Sequence, residues 1–166
     1  EWLFITIRLL RRLPINRGTC NGVGGEELGR WDREVDTALV GPTWLKDVRV
    51  ARIVVDVIEE AEARGMCQVG AFVVMSNHVH LLVRPVVPVA RIMQWIKGVS
   101  ALRANQVLGR TGGRFWQRES YDHWVRTGLE HRRIWRYIES NPVKAKLVDC
   151  VGDWLWSSAF LQAGTS

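Results

Sequence analysis

The stretch Ala71-Phe-Val-Val-Met-Ser-Asn-His-Val-His-Leu-Leu-Val83 decides the fold. Two apolar runs rich in β-branched and aromatic residues flank Ser76-Asn77, a pair suited to a tight turn, so the spacing predicts a hairpin with strands over 67–75 and 78–84. The second strand opens on His78-Val79-His80. Side chains alternate faces along a strand, so the two histidines point the same way about 7 Å apart while Val79 turns toward the core. Two imidazoles placed like this can converge on one divalent ion, leaving most of its shell open to a carboxylate or amide, water and a substrate oxygen. That openness suits catalysis better than structure. Taken alone, the same residues also read as a surface strand with two solvated histidines.

Working outward, Trp2 to Leu10 has strand composition and ends at Leu13-Pro14. A long connection follows, Gly-rich over 16–29 and punctuated by Gly41-Pro42. Asp47 is the expected N-cap of an amphipathic helix from Val48 to Arg64, with Val50, Ile53, Val54, Val57 and Ala61 on its apolar stripe and Gly65 closing it. After the hairpin, Pro85 and Pro88 lead into a second helix carrying Ile92, Met93, Ile96 and Val99 and ending at Gly109. Tyr121 to Arg126 reads as extended. Gly128 to Asn141 reads as a third helix, with Ile134 and Ile138 on its packing side and Pro142 limiting it; its last turn is expected to be distorted because Asn141 precedes proline. Trp154, Trp156 and Phe160 in the tail read as packing aromatics. Strand, helix, hairpin, helix, strand, helix is the order of an α+β, ferredoxin-like antiparallel sheet with helices packed on one face.

A chain of 166 residues fits a single domain spanning 1–166, able to bury about 70% of its unfolded surface. No apolar run is long enough for a membrane span, and the opening residues lack the features of a signal peptide, so a cytoplasmic protein is expected. Cys20, Cys67 and Cys150 form neither a disulfide framework nor a zinc motif; reduced, mostly buried thiols are expected. The net charge of +6 makes a polyanionic partner plausible. Its distribution says more. From Leu81 to Arg118 there is no Asp or Glu, against Arg84, Arg91, Lys97, Arg103, Arg110, Arg114 and Arg118. Arg91, Lys97 and Arg103 lie roughly 120° apart in helical projection, so only some of these cations can touch one strand.

Tyr137 and Asn141 stand four apart, which on a helix places a phenol and an amide on one face about one turn apart. They could serve the same ion or phosphate. The alternative is a partly buried Tyr and an Asn at a helix end.

Four blocks in order, Val74-Met-Ser-Asn-His-Val-His-Leu-Leu-Val83, Phe115-Trp-Gln-Arg-Glu-Ser-Tyr-Asp-His-Trp-Val-Arg126, Arg136-Tyr-Ile-Glu-Ser-Asn-Pro-Val-Lys-Ala145 and Trp154-Leu-Trp-Ser-Ser158, resemble the REP-associated tyrosine transposases, within the single-tyrosine HUH transposase superfamily. The resemblance implies an HUH endonuclease-type fold in which His78, His80 and Asn141 bind Mg2+ or Mn2+ and Tyr137 attacks single-stranded DNA. It implies a 5′-phosphotyrosine product, a free 3′-hydroxyl and subsequent strand transfer without ATP. The implied partner is a hairpin from palindromic repeats, with no membrane partner, a nucleoid-associated location, and a monomer favoured over a homodimer. Arg84, Lys97, Arg103, Arg114, Arg118 and Arg133 are the candidate DNA contacts, and Trp95 and Trp116 the candidate stacking platforms. Tyr121, the other tyrosine, is the competing nucleophile. Where the family often has Asn-Pro-Val-Lys-Ala-Gly, Lys146 replaces the glycine, which is expected to alter the turn after the helix. Two rival functions share these residues: a captured module that only binds hairpin DNA or RNA, and a phosphodiester hydrolase using metal-activated water.

Overall fold

Strand β1 (Trp2–Arg8) sorts its side chains by face, with Leu3, Ile5 and Ile7 on one side and Phe4, Thr6 and Arg8 on the other. The computed structural model describes residues 1–10 and 41–163. The expected strand end at Leu13-Pro14, the Gly-rich connection and Cys20 lie outside them. Three further strands, β2 (Cys67–Val74), β3 (His78–Pro85) and β4 (Tyr121–Val125), join β1 in the order β2-β3-β1-β4, every neighbour antiparallel. This is the ferredoxin-like sheet that the sequence predicts. The hairpin closes where Met75 N donates to the carbonyl of His78.

Helix α1 (Val48–Ala63) follows a single 3-10 turn, Trp44–Lys46, and helix α2 (Val89–Val107) follows β3. Asp47 caps α1 by accepting from Arg49 N, and Gly65 leaves it at φ +67°. Val50, Val54, Val57 and Ile58 of α1 and Ile92 and Ile96 of α2 pack on Leu3, Ile5, Ile7, Leu81 and Val83 to form the main core. A two-pronged ion pair from Arg103 to Glu60, at 2.6 and 3.1 Å, ties the two helices together.

The expectation that helices share one face holds for α1 and α2 only. Helix α3 (Gly128–Lys144) lies on the opposite face, where Ile134 and Ile138 pack on Phe4, Ala71, Val73 and Leu82. Those sheet residues are apolar too, so both faces require cover. At its start, Thr127 accepts from Glu130 N, while the Glu130 carboxylate accepts from Arg126 N and bonds His123 of β4.

Helix α3 also runs past the proline expected to limit it, and Asn141 is helical. Pro142 sits in the last turn, where the only amide it withholds is the one that would reach Ile138. Lys146 N then donates to Val143 O and Leu147 N to Pro142 O, both at 2.9 Å, which is a Schellman closure. The turn associated with glycine is therefore kept. Lys146 adopts φ 56° itself, the left-handed region that disfavours a side chain.

The tail covers the outer edge of β2. Val74 N donates to Trp156 O, the Trp154 indole donates to Val74 O, and Phe72 N donates to the hydroxyl of Ser158, the first residue of the short helix α4 (Ser158–Ala163). Val69 N, further along, donates to Glu62 of α1. The edge is thus closed to other strands. Cys67 is buried, its thiol pushed up to about 11 by burial first and Glu62 second, whereas Cys150 is exposed, against the expectation of mostly buried thiols. No helix among the described residues is long and apolar enough to cross a membrane.

Two substitutions test this packing. A Cβ at Gly70 would meet Trp2 at 2.8 Å and Trp135 at 3.0 Å, so Gly70→Ala is expected to destabilise by about 1–3 kcal/mol in urea unfolding. Lys146→Gly should stabilise by up to about 1 kcal/mol and Lys146→Val should destabilise, because only the first relieves the left-handed backbone; equal midpoints for the three proteins would refute that cap.

Candidate functional site

Beneath α3 a row of register partners crosses the sheet, one residue per strand: Val73, His80, Thr6 and Tyr121. Next to it, at the end of the sheet where the hairpin turns, His78 faces Arg8. Val79 points the other way into the main core. The histidines are not solvated: His78 is 1% and His80 2% exposed, with ring centroids 4.7 Å apart.

Each ring is oriented through Nδ1. Asn77 Oδ1 lies 2.7 Å from His78 Nδ1, and because an amide oxygen only accepts, His78 carries its proton there and presents the Nε2 lone pair. Thr6 Oγ1 lies 2.8 Å from His80 Nδ1, where the hydroxyl can accept from the ring nitrogen or donate to it. Burial above all, then the nearness of His80 and Arg8, pushes His78 well below the usual histidine range. A neutral imidazole is the form that ligates metal.

Asn141 is fully buried on the sheet-facing side of α3. Neither its amide oxygen nor its nitrogen, nor Nε2 of His78, has a hydrogen-bond partner among the described residues. Leaving such atoms unsatisfied costs about 1–3 kcal/mol each, and the imidazole nitrogen and amide oxygen are donors that suit a small divalent cation. Among the described residues no group of three or more His, Cys, Asp or Glu comes together, so the donor set on this face is two imidazoles and an amide.

Tyr137, one turn before Asn141, has its ring centroid 5.4 Å from that of His80. Phe4 is the common neighbour, with centroids 5.5 Å from His80, 6.1 Å from Tyr137 and 6.2 Å from Tyr121. Tyr121 therefore shares the face, but β1 separates it from His80, a span of roughly 10 Å between alternate strands. Above Tyr137, Lys144 Nζ lies 4.6 Å from the ring centre.

The basic candidates separate. Lys97, Arg114 and Arg118 line one cavity of about 720 Å³ between α2 and the segment 113–120. Lys97 Nζ donates to Arg118 O, and burial lowers its ammonium below the usual lysine value. This cavity lies at the same end of the sheet as His78, since Leu9 N bonds Asn77 O and Leu10 N bonds Phe115 O. Arg84 and Arg133 are exposed elsewhere. The Arg103 guanidinium is paired with Glu60 across the α1–α2 seam. The proposed stacking residues are corrected. Trp116 is buried and donates its indole N–H to Ser100, and Trp95 is covered by the Arg64 guanidinium 4.2 Å from its ring centre.

Sequence reasoning missed Thr6, Arg8 and Lys144. The first two were signalled by the alternation in β1, where polar groups interrupt only one face, but their register against β3 needed the fold. Lys144 falls seven residues after Tyr137, two turns along the same helix.

The family model described as Transposase IS200 like matches residues 43–141. Among solved structures, that of a REP-associated tyrosine transposase bound to a REP hairpin superposes with a TM-score of 0.62 at 20% identity, covering 98% of this chain and 79% of the other. A transposase structure from Deinococcus radiodurans R1 has a TM-score of 0.48 at 18% identity, covering 85% and 90%. No curated protein matches the chain. The first superposition bears out the antiparallel α+β fold, the family match spans more than half of the chain, and the chain belongs to the IS200-like transposase family.

Proposed function

We propose that this single domain is a metal-dependent transposase of single-stranded DNA, with Tyr137 as nucleophile. The observation that carries the reading is the convergence on one buried face of two histidines each held through Nδ1, an unsatisfied Asn141 amide and a tyrosine ring beside His80. His78 and His80 through Nε2 and Asn141 through its amide oxygen would hold Mg2+ or Mn2+, which when bound supplies positive charge to the scissile phosphate. Phe4 and the packing of α3 fix the tyrosine ring toward the histidines.

The Tyr137 oxygen attacks phosphorus in line with the 3′-oxygen. A Tyr–O–P bond forms, the P–O3′ bond breaks, the phenol proton is lost and the leaving oxygen gains one. A phenol of pKa about 10 is roughly one part in a thousand ionised at neutral pH, a deficit of about 4 kcal/mol that the site has to offset. The phosphotyrosine ester keeps the energy of the cleaved bond, so a second 3′-hydroxyl can take the strand.

The partner is unpaired DNA beside a hairpin from a palindromic repeat, by likeness to the relative solved with a REP hairpin. The protein is expected to act as a monomer on chromosomal DNA, in the cytoplasm. The groove of Lys97, Arg114 and Arg118 supports a backbone path at the His78 end of the sheet.

A denaturing gel with labelled hairpins and Mn2+ tests the nucleophile. The expected result is a slow-migrating covalent adduct that disappears in Tyr137→Phe and His80→Ala and persists in Tyr121→Phe. Cleavage that survives Tyr137→Phe without adduct would indicate a hydrolase, and binding without either product a DNA-binding module. Calorimetry with Mn2+ in the absence of DNA should show binding that Asn141→Ala weakens. Removing Arg114 or Arg118 should lower the log–log salt slope of binding to single-stranded DNA by about 0.7 each, whereas Arg103→Ala should leave it unchanged and cost less than about 1 kcal/mol of stability.

A further inference from the structure

A second cavity, of about 420 Å³, is lined by His78 and lies between residues 45–46, the 75–78 turn, the end of α3 and the tail. Its volume falls in the range of small-ligand pockets, about 300–1,000 Å³. Trp154 and Trp156 form its aromatic wall, Lys46 and Lys144 its charged rim, and Ser76 and Asn77 supply polar edges. No acidic side chain lines it among the described residues.

The two tryptophans are half-buried, Trp154 held through its indole and Trp156 through its backbone and its packing against the main core. The Trp154 indole donates to Val74 O at 3.0 Å, and the Trp156 carbonyl accepts from Val74 N at 2.8 Å. They are held without filling the space they border, so a planar ring could stack there at little cost in side-chain ordering. Lys144 borders the cavity and also lies over the Tyr137 ring, so one side chain links the cavity to that tyrosine.

Aromatic walls, a cationic rim, a boundary formed by His78 and a lysine that also contacts the Tyr137 ring together fit one ligand class, and we propose that this cavity receives the unpaired nucleotide next to the scissile phosphate. The base stacks on Trp154 and Trp156, and a flanking phosphate meets Lys46 and Lys144. This rests on the nucleic-acid reading of the site but not on its chemistry, since stacking and phosphate capture require neither metal nor Tyr137. The tail tryptophans, read from sequence as packing alone, then have a second use on their outer side.

The test is a fluorescence titration of the full chain in EDTA with the 5′-monophosphate of 2-aminopurine deoxyriboside, whose emission is quenched on stacking. Saturable quenching is expected, with about tenfold weaker binding in the Lys46→Gln/Lys144→Gln double variant and for the nucleoside lacking phosphate. Inorganic phosphate should compete weakly, and the pentanucleotide dT5 should displace the probe more strongly than dTMP. Quenching indifferent to the double variant, or absent, overturns the pocket. Displacement by dTMP but not by dT5 would make it a site for free nucleotides and also overturn the proposal. Because both lysines are exposed, circular dichroism should show the double variant folded. A covalent adduct formed by a protein that fails the titration would refute the pocket alone; binding without an adduct would refute the transposase chemistry alone.

Discussion

The antiparallel register of β1 against β3 is the constraint on which the remainder of the molecule depends. By setting Thr6 opposite His80 and Arg8 opposite His78, it delivers a hydroxyl to one imidazole and positive charge to the other, while Leu3, Ile5 and Ile7 meet Val83, Leu81 and Val79 on the reverse face. A slip of one residue would exchange the two faces. Aliphatic side chains would then lie around the histidines, and Phe4, Thr6 and Arg8 would enter the main core. The burial of those aliphatic residues under α1 and α2 therefore fixes the groups that surround the histidines as well as the fold.

Helix α3 provides the other half of the site, and its placement follows from packing rather than from the chemistry it carries. Ile134 and Ile138 seat it on Ala71, Val73 and Leu82, while the absence of a side chain at Gly70 gives Trp2 and Trp135 room to close over β2. With the helix seated, Asn141 is carried into the interior and Tyr137 to the margin. The buried, unsatisfied amide is tolerated because the apolar contacts on the same helix hold it there.

Much of this was legible in the sequence because it is written in periodicity. The hairpin follows from two apolar runs around Ser76-Asn77, the facing of His78 and His80 from a period of two, and the stripe and cap of α1 from Asp47 and the valines. What was not legible depended on partners distant in sequence. Nothing local shows that α3 crosses to the opposite face, that Glu60 takes Arg103, or that Trp116 turns inward toward Ser100. Pro142 misled for a related reason. Proline in a final helical turn forfeits one hydrogen bond, and the closure through Val143 and Lys146 compensates for the change in direction. Lys146 looked like a departure from the family's turn, yet the backbone retains the turn and places the strain on the side chain's own residue.

The stapling of β2 by the tail has a consequence for the order in which the molecule comes into being. Residues 154–158 reach back some eighty positions to bond Val74 and Phe72. A ribosome releases these residues late, after both helices of the main core and all four strands have emerged. Until then β2 presents open amides and carbonyls, and neither tryptophan stands beside the hairpin turn. The nascent protein can thus hold its histidines in place while its outermost strand remains a template for other chains, and the later arrival of residues 154–158 both removes that hazard and finishes the wall next to His78.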